Sequence, residues 1–358
     1  MKTSNKSLKL IKEFSEAYGG SGNEKSITRI MEKYLKKYCD EITYDNLGSI
    51  YGIKHTSQTN PLKVMVCAHS DEVYLQVKEI NEQGLIKFTA TGIWNQILMG
   101  QRVVLINTNS QMFPGAISAT PPHLLSANMK DKPVEVSQML ADFGFKNKEE
   151  AQKYTKLGDK IYIEGRFEKL LNNRILSKAL DNRVGCALLV ELLSKINDKD
   201  LGYELYIGLN VQEEVGVRGA QTMAQKIKPD LAIVVDCSPA NDLINKNELG
   251  QIGEGLLIRV VDRSMIGFFQ LIDWQRNICK KHHIKYQHFI SNGGTDAGII
   301  HKSNSGILTL TSCLCARNIH SNSSILDMED YYANLKFLYF ALKDINRKTY
   351  QKLLEANR

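Results

Sequence analysis

The stretch Leu62-Lys63-Val64-Met65-Val66-Cys67-Ala68-His69-Ser70-Asp71 decides the fold. Residues 62–68 are short, rich in Val and Met and apolar on both faces, so they read as a buried central strand. Such a strand belongs to the middle of an α/β sheet, covered above and below. It ends at His69 and Asp71, polar groups placed where open α/β sheets bind their ligands.

Upstream, Leu8, Leu10, Ile11, Phe14 and Ala17 fall at helical spacing over residues 7–18. Gly19-Gly20-Ser21-Gly22 ends that helix, and a second amphipathic helix runs to about Tyr38. Short strand-like runs follow at 41–44 and 49–54. Beyond Asp181 strands and helices alternate. Strands are expected at 203–210, 230–236, 256–261, 285–290 and 306–311, and helices at 183–196, 217–227, 265–281, 296–301 and 328–345. Alternation of this kind predicts an α/β fold, a sheet sandwiched by helices.

Between Asp71 and Phe167 the texture differs. Strand-like pieces at 84–90 and 102–107 sit among turn signals such as Phe113-Pro114-Gly115 and Thr120-Pro121-Pro122, with one helical stretch at 146–154. A small β-rich domain over 71–167 is therefore expected to interrupt a catalytic domain made of 1–70 and 168–358.

Composition narrows the class. The 358 residues are 43% hydrophobic and 24% charged, a globular balance with ample core material. No run of about 18 apolar residues predicts a membrane span, and the first residues carry no signal-like apolar stretch. The seven cysteines are an odd number and lie mostly in apolar runs, which fits free thiols in a reducing compartment. A cytoplasmic protein is expected. The net charge of +7 comes from lysines scattered among acids, so a solvated surface is expected rather than binding to nucleic acid or membrane.

Chemistry is expected where polar groups end apolar strands, because an isolated buried charge is costly unless paired or bound to metal. His69 and Asp71, Asp181, Glu213-Glu214, Asp236 and His320 all fall at or just past predicted strand ends or helix starts. Alone, Asp181 could be a helix cap and the glutamates a solvated pair. Together, two imidazoles and several carboxylates in one crevice would repel unless divalent ions neutralised them, one carboxylate bridging both ions. Asp71 can accept the ring N–H of His69 and fix its tautomer.

The order His-x-Asp, Asp, Glu-Glu, Asp, His and its surroundings resemble the TET and glutamyl aminopeptidase family of dinuclear metallo-exopeptidases. The similar segments are Ala68-His69-Ser70-Asp71-Glu72-Val73, Ala179-Leu180-Asp181-Asn182-Arg183, Gln212-Glu213-Glu214-Val215-Gly216, Asn292-Gly293-Gly294-Thr295-Asp296-Ala297-Gly298 and Arg317-Asn318-Ile319-His320-Ser321. The likeness extends to Ser21-Gly22-Asn23-Glu24, Trp94-Asn95, Pro121-Pro122-His123-Leu124 and Gly158-Asp159, and so covers nearly the whole chain. That family inserts a β domain between its first His and its bridging Asp, where the β-rich stretch lies here.

The resemblance implies that His69, Asp181 and Asp236 hold one metal and Asp181, Glu214 and His320 the other, with Glu213 as general base and Asp71 as the partner of His69. It implies a metal-bridging water that attacks the first peptide bond of a peptide, with Glu213 moving the proton. Zinc or cobalt suits such ligands. A tetrahedral homododecamer joined through the inserted domain is implied as well. The text around Gly92-Ile93-Trp94-Asn95 and Pro121-Pro122-His123-Leu124 is closest to the glutamyl branch, which points to acidic N-terminal residues. Tyr74 and Ser70 depart from the family pattern beside the site. The rival readings are a metal-independent glycosidase of endoglucanase type built on Glu213, Asp236 and Asp181, and a non-catalytic scaffold on the same fold.

Overall fold

The computed structural model describes residues 4–126, 132–243 and 249–358. Residues 1–3, part of the opening read above as lacking a signal-like stretch, lie outside them. Among the described residues no helix is long and apolar enough to cross a membrane. All seven cysteines are free, and six of them are buried.

The 62–71 stretch forms the strand Lys63–His69, buried along nearly its whole length. It pairs in parallel with Glu204–Asn210 on one side and Leu231–Pro239 on the other, and Leu231–Pro239 pairs in parallel with Leu308–Arg317. These four parallel strands are the centre of an 11-stranded mixed sheet. Antiparallel strands flank them: Ile50–Lys54 and Glu41–Tyr44 at one edge, Ser324–Asp327, Arg174–Ser177 and Glu168–Lys169 at the other.

Register brings the polar strand ends together. Asn210 lies opposite His69, so the chain carrying Glu213 and Glu214 leaves its strand beside that histidine. Val234 lies opposite Cys67, which puts Asp236 level with His69. Because successive parallel strands end on the same edge, residues far apart in sequence share one rim.

Helices cover both faces. The helix Leu180–Lys195 is buried on nearly every side, between the sheet and the helices Asn5–Glu16 and Met328–Asp344. Its middle, residues 184–190, is accordingly free of charged residues. Asn5–Glu16 buries Leu8, Leu10, Ile11 and Phe14 and is capped by Ser4, whose side chain accepts from the Lys6 N–H. Lys25–Tyr38 buries Ile27, Met31 and Leu35, spaced four apart along one face.

The chain leaves the sheet at His69 and rejoins it at Glu168. Between these points lies a closed antiparallel barrel of six strands, Tyr74–Ile80, Ile86–Thr91, Leu140–Asp142, Met112–Ser118, Arg102–Ile106 and Lys160–Ile163. It has its own core, including Leu75, Val77, Ile86, Leu105 and Ile161. Closure leaves it no open edge to pair. The expected α/β sheet with an inserted β-rich unit is thus the observed architecture.

Several elements differ in extent. The strand expected at 306–311 runs through Leu308–Arg317, because Ser312, Cys313, Leu314, Cys315 and Ala316 are all buried and continue the parallel ladder. His320 consequently follows its strand end closely. The helix expected from residue 265 begins at Phe269, since Ile266 is tied to Val261 by an isolated bridge. The helical stretch at 296–301 is the single turn Ala297–Ile300.

Candidate active site

All seven residues singled out at strand ends meet in one cluster on the rim of the central strands. His69 is 2% exposed, and its Nε2 lies 3.1 Å from Asp181 Oδ1 and 3.5 Å from Asp236 Oδ1. His320 Nε2 lies 3.5 Å from Asp181 Oδ2 and 3.4 Å from Glu214 Oε2. The two oxygens of Asp181 thus face one histidine each. Local backbone makes this possible: Asp181 and Asn182 are non-helical, and no side-chain cap bond is made where the helix begins. The helix-cap alternative for Asp181 is not what the geometry has.

Three groups of donors each lie within 4.8 Å of one another: His69 with Asp181 and Asp236; Asp181 with Glu214 and His320; His69 with Glu213 and Glu214. Donors about 2.0–2.1 Å from a tetrahedral zinc are roughly 3.3 Å apart, close to the 3.1–3.5 Å separations here. Glu214 Oε1 is buried without a hydrogen-bond partner, an orphan of the kind a cation would satisfy. The donor set fits divalent ions.

The outer ring nitrogens agree. His69 Nδ1 is 3.2 Å from the Asp71 carbonyl and His320 Nδ1 is 2.8 Å from the Gly92 carbonyl. A carbonyl only accepts, so Nδ1 carries the proton in both rings and Nε2 faces the carboxylates. The expectation for Asp71 changes in detail. Its carboxylate stands 3.5 Å from His69 Nδ1, while its backbone oxygen is closer. That carboxylate instead accepts from the backbone N–H groups of Glu213 at 2.9 Å and Glu214 at 3.1 Å, and from Ser21 Oγ at 2.7 Å.

Glu213 and Glu214 lie in a turn, and Gln212, just before them, is left-handed at φ +58°.

Charge is crowded here. Burial carries Glu213 well above the usual carboxylate range, with Asp236 and Asp296 adding to it. Burial and the neighbouring Asp181 push Glu214 up to about 8. Burial opposes charge on His69, but bonds to Asp181, Asp236 and Asp71 outweigh it and hold its pKa well above the usual value. His320 is raised to about 9, burial being outweighed by Asp181 and Glu214. In the same way Asp181 is held well below its ordinary range by His320 and His69 despite burial.

Some participants carried no assigned role in the sequence reading. Glu72, next to Asp71, accepts from Lys178 Nζ at 2.8 Å and Arg183 Nη2 at 3.2 Å, all three side chains being buried. This ion cluster ties the segment after His69 to both ends of the segment carrying Asp181. Breaking such a buried pair typically costs about 3–5 kcal/mol. Asp296, raised to about 7 by burial, accepts from Asn210 Nδ2 at 2.8 Å. Glu24, pushed up to about 7 by burial and by Asp71, accepts from the Gln212 N–H at 3.0 Å. Glu72, Asp296 and Glu24 all lie in stretches that carry the family likeness, but a buried acid whose partners come from distant parts of the chain leaves no periodic signal.

Beside the cluster opens a cleft of about 1140 Å³, lined by His69, Glu213 and Asp236 and by residues of the 289–295 segment. Three cations, Arg259, Arg263 and Lys302, also stand on its wall. Arg259 is engaged by Asp262 at 3.0 Å and Ser238 at 2.9 Å, whereas Arg263 and Lys302 are exposed.

The model of the M42 glutamyl aminopeptidase family matches residues 48–337. The chain belongs to that family. The glutamyl aminopeptidase of Lactococcus lactis subsp. cremoris (strain MG1363) is 33% identical over 340 residues, covering 94% of this chain and 96% of its own. Among solved structures, the TET aminopeptidase of the marine sediment archaeon Thaumarchaeota archaeon SCGC AB-539-E09 superposes with a TM-score of 0.92 at 33% identity, over 98% of this chain and 99% of its own. The TET1 peptidase of Pyrococcus horikoshii, which can assemble into a tetrahedron or a large octahedral shell, does so at 0.85 and 26% identity, over 95% and 100%. As an M42 member this chain is a metalloaminopeptidase, and the glycosidase and scaffold alternatives are not favoured.

Proposed function

We propose that this M42 enzyme removes acidic residues, Glu or Asp, from the N-termini of peptides in the cytoplasm, using two divalent ions per chain. His69, Asp181 and Asp236 would hold one ion and Asp181, Glu214 and His320 the other, zinc or cobalt by donor type. The observation that carries this reading is the Asp181 carboxylate, one oxygen directed to each histidine. Bound there, the ions would supply a water of lowered pKa and a Lewis acid for the scissile carbonyl.

Glu213 is assigned the proton: it takes one from the attacking water and returns it to the departing amine. Its place supports this, since it stands outside both donor groups that share Asp181. Asp71 anchors the backbone of both glutamates and stands beside His69. The cleft supports an acidic preference. Its acids are those of the donor cluster, so a substrate carboxylate would meet Arg263 and Lys302 unopposed.

A tetrahedral homododecamer, with the inserted domain at 71–167 making contacts between copies and the catalytic domain formed by 1–70 and 168–358, is the assembly we infer; the behaviour of the Pyrococcus horikoshii relative supports it. Nucleic acid and membrane have no part in this reading.

The test is direct. Protein stripped by chelator and reloaded with zinc or cobalt should bind about two ions per chain and cleave glutamyl and aspartyl chromogenic substrates with higher kcat/KM than leucyl or lysyl ones. Full activity without metal would sink the mechanism. Higher kcat/KM for lysyl substrates would sink the acidic preference alone.

A further inference from the structure

The turn that carries Glu213 and Glu214 is gripped from two distant parts of the chain. Three consecutive backbone N–H groups, those of Gln212, Glu213 and Glu214, donate to Glu24 Oε1 at 3.0 Å, Asp71 Oδ1 at 2.9 Å and Asp71 Oδ2 at 3.1 Å. Three successive amides that each find a carboxyl oxygen hold the turn firmly. Gln212 is left-handed at φ +58°, a conformation that a residue with a Cβ keeps only when its surroundings impose it.

Glu24 is 4% exposed and stands at the start of the helix Lys25–Tyr38, yet its side chain caps none of that helix's amides. Its Oε1 is instead shared between Gln212 and the Gly22 N–H, the latter at 2.8 Å. Ser21, next to this bond, donates to Asp71 Oδ2 at 2.7 Å. A buried acid that accepts from Gly22 and from a turn 188 positions away, and from none of its own helix's amides, ties the segment before that helix to the turn.

We propose that Glu24 is a positioning residue for the reaction: together with Asp71 and Ser21 it clamps residues 212–214 and so aims the Glu213 carboxylate at the reacting atoms, without touching substrate. This rests on the reading of Glu213 as the base. It widens the part of Asp71 from one histidine to the whole acidic turn. The clamp also links the two ends of the site, because Asp71 follows His69 by two residues.

The experiment compares Glu24→Gln and Glu24→Leu with the wild type in the full-length, metal-loaded protein. Gln keeps an acceptor at Oε1, so kcat should stay within about threefold. Leu has none, so kcat should fall roughly 10- to 100-fold with KM within about threefold, the scale for a displaced catalytic group. Bound zinc should stay the same in both.

A readout independent of turnover is amide hydrogen exchange over 211–219 in metal-free protein, which should accelerate in Glu24→Leu and not in Glu24→Gln. Wild-type kcat in a folded Glu24→Leu, unchanged exchange over 211–219, or a loss of turnover that Gln fails to restore would each overturn the clamp. Should Glu24→Leu not fold, Ser21→Ala removes the hydroxyl from the Asp71 end. It should speed exchange over the same segment and lower kcat several-fold, and no change in either overturns the proposal. An inactive wild type would instead strike the aminopeptidase reading, a distinguishable failure.

Discussion

The two histidines of the cluster are held in opposite ways. His69 ends a strand inside the sheet, is 2% exposed and bonds through Nδ1 to the carbonyl of Asp71, two residues on. Its Nδ1 side is fixed locally, while its Nε2 side faces Asp181 and Asp236. His320 sits in a loop at φ +60°, with its side chain 37% exposed, and its Nδ1 partner is Gly92, in the inserted unit and 228 positions away. One half of the site is made within the α/β domain, from two strand ends and the start of the helix Leu180–Lys195. The other half leans on the barrel through the Gly92 carbonyl, so the insertion contributes a contact to the candidate site.

The largest expected effect tests the residue common to both halves. Asp181→Ala should leave neither side able to hold its ion, with bound metal near zero and turnover down by roughly 10⁴-fold or more. Metal analysis beside a kinetic assay checks this. Retention of one tightly bound ion would show that the halves are independent and that Asp181 does not bridge.

Next in size is the separation of the adjacent glutamates. Glu213→Gln should keep its metal and lose about 10²- to 10⁴-fold in kcat, because the amide cannot accept a proton. Glu214→Gln should weaken only the His320 side, and excess zinc or cobalt should restore part of its activity. Titrating both variants with metal while measuring turnover distinguishes them. If Glu213→Gln is the one that loses metal, the two roles are exchanged.

The smallest effect addresses the barrel's contribution. Gly92 has φ +71°, and a Cβ there would come within 2.4 Å of Val73 Cγ1 and 3.5 Å of Glu214 Oε2. Gly92→Ala must therefore shift the carbonyl that orients His320. Metal affinity on that side should fall by about tenfold, the lower end for loss of a partner behind a ligand, while the His69 side keeps its affinity. Two-step metal titration by calorimetry reads this. An equal loss on both sides would erase the distinction between the halves.

Much of this was legible beforehand, for reasons that can be named. The run over 62–68 announced a central strand because a strand covered on both faces has no polar side to show. His69, Asp181, Glu213, Glu214, Asp236 and His320 stood out because charge beside such strands is costly without a partner. The barrel was legible in part: 84–90 and 102–107 read as strands and match Ile86–Thr91 and Arg102–Ile106, whereas Tyr74–Ile80 has mixed burial and Met112–Ser118 is largely uncovered. The strand Ser324–Asp327 escaped because only its two central residues, Ile325 and Leu326, are apolar.

Sequence by itself, then, determined the α/β sheet, the place of the insertion and the identity of the polar strand ends, because each of these is written in local apolar pattern and in residues too expensive to bury alone. Tertiary structure alone decided how those residues are aimed. That His320 leans on Gly92, that Glu72 is locked to Lys178 and Arg183, and that Glu24 and Asp71 grip the backbone of the acidic turn are contacts to backbone and to distant side chains. Such contacts depend on where the chain returns in space. A carbonyl oxygen or an amide N–H is present at almost every residue and leaves no mark in the sequence that uses it.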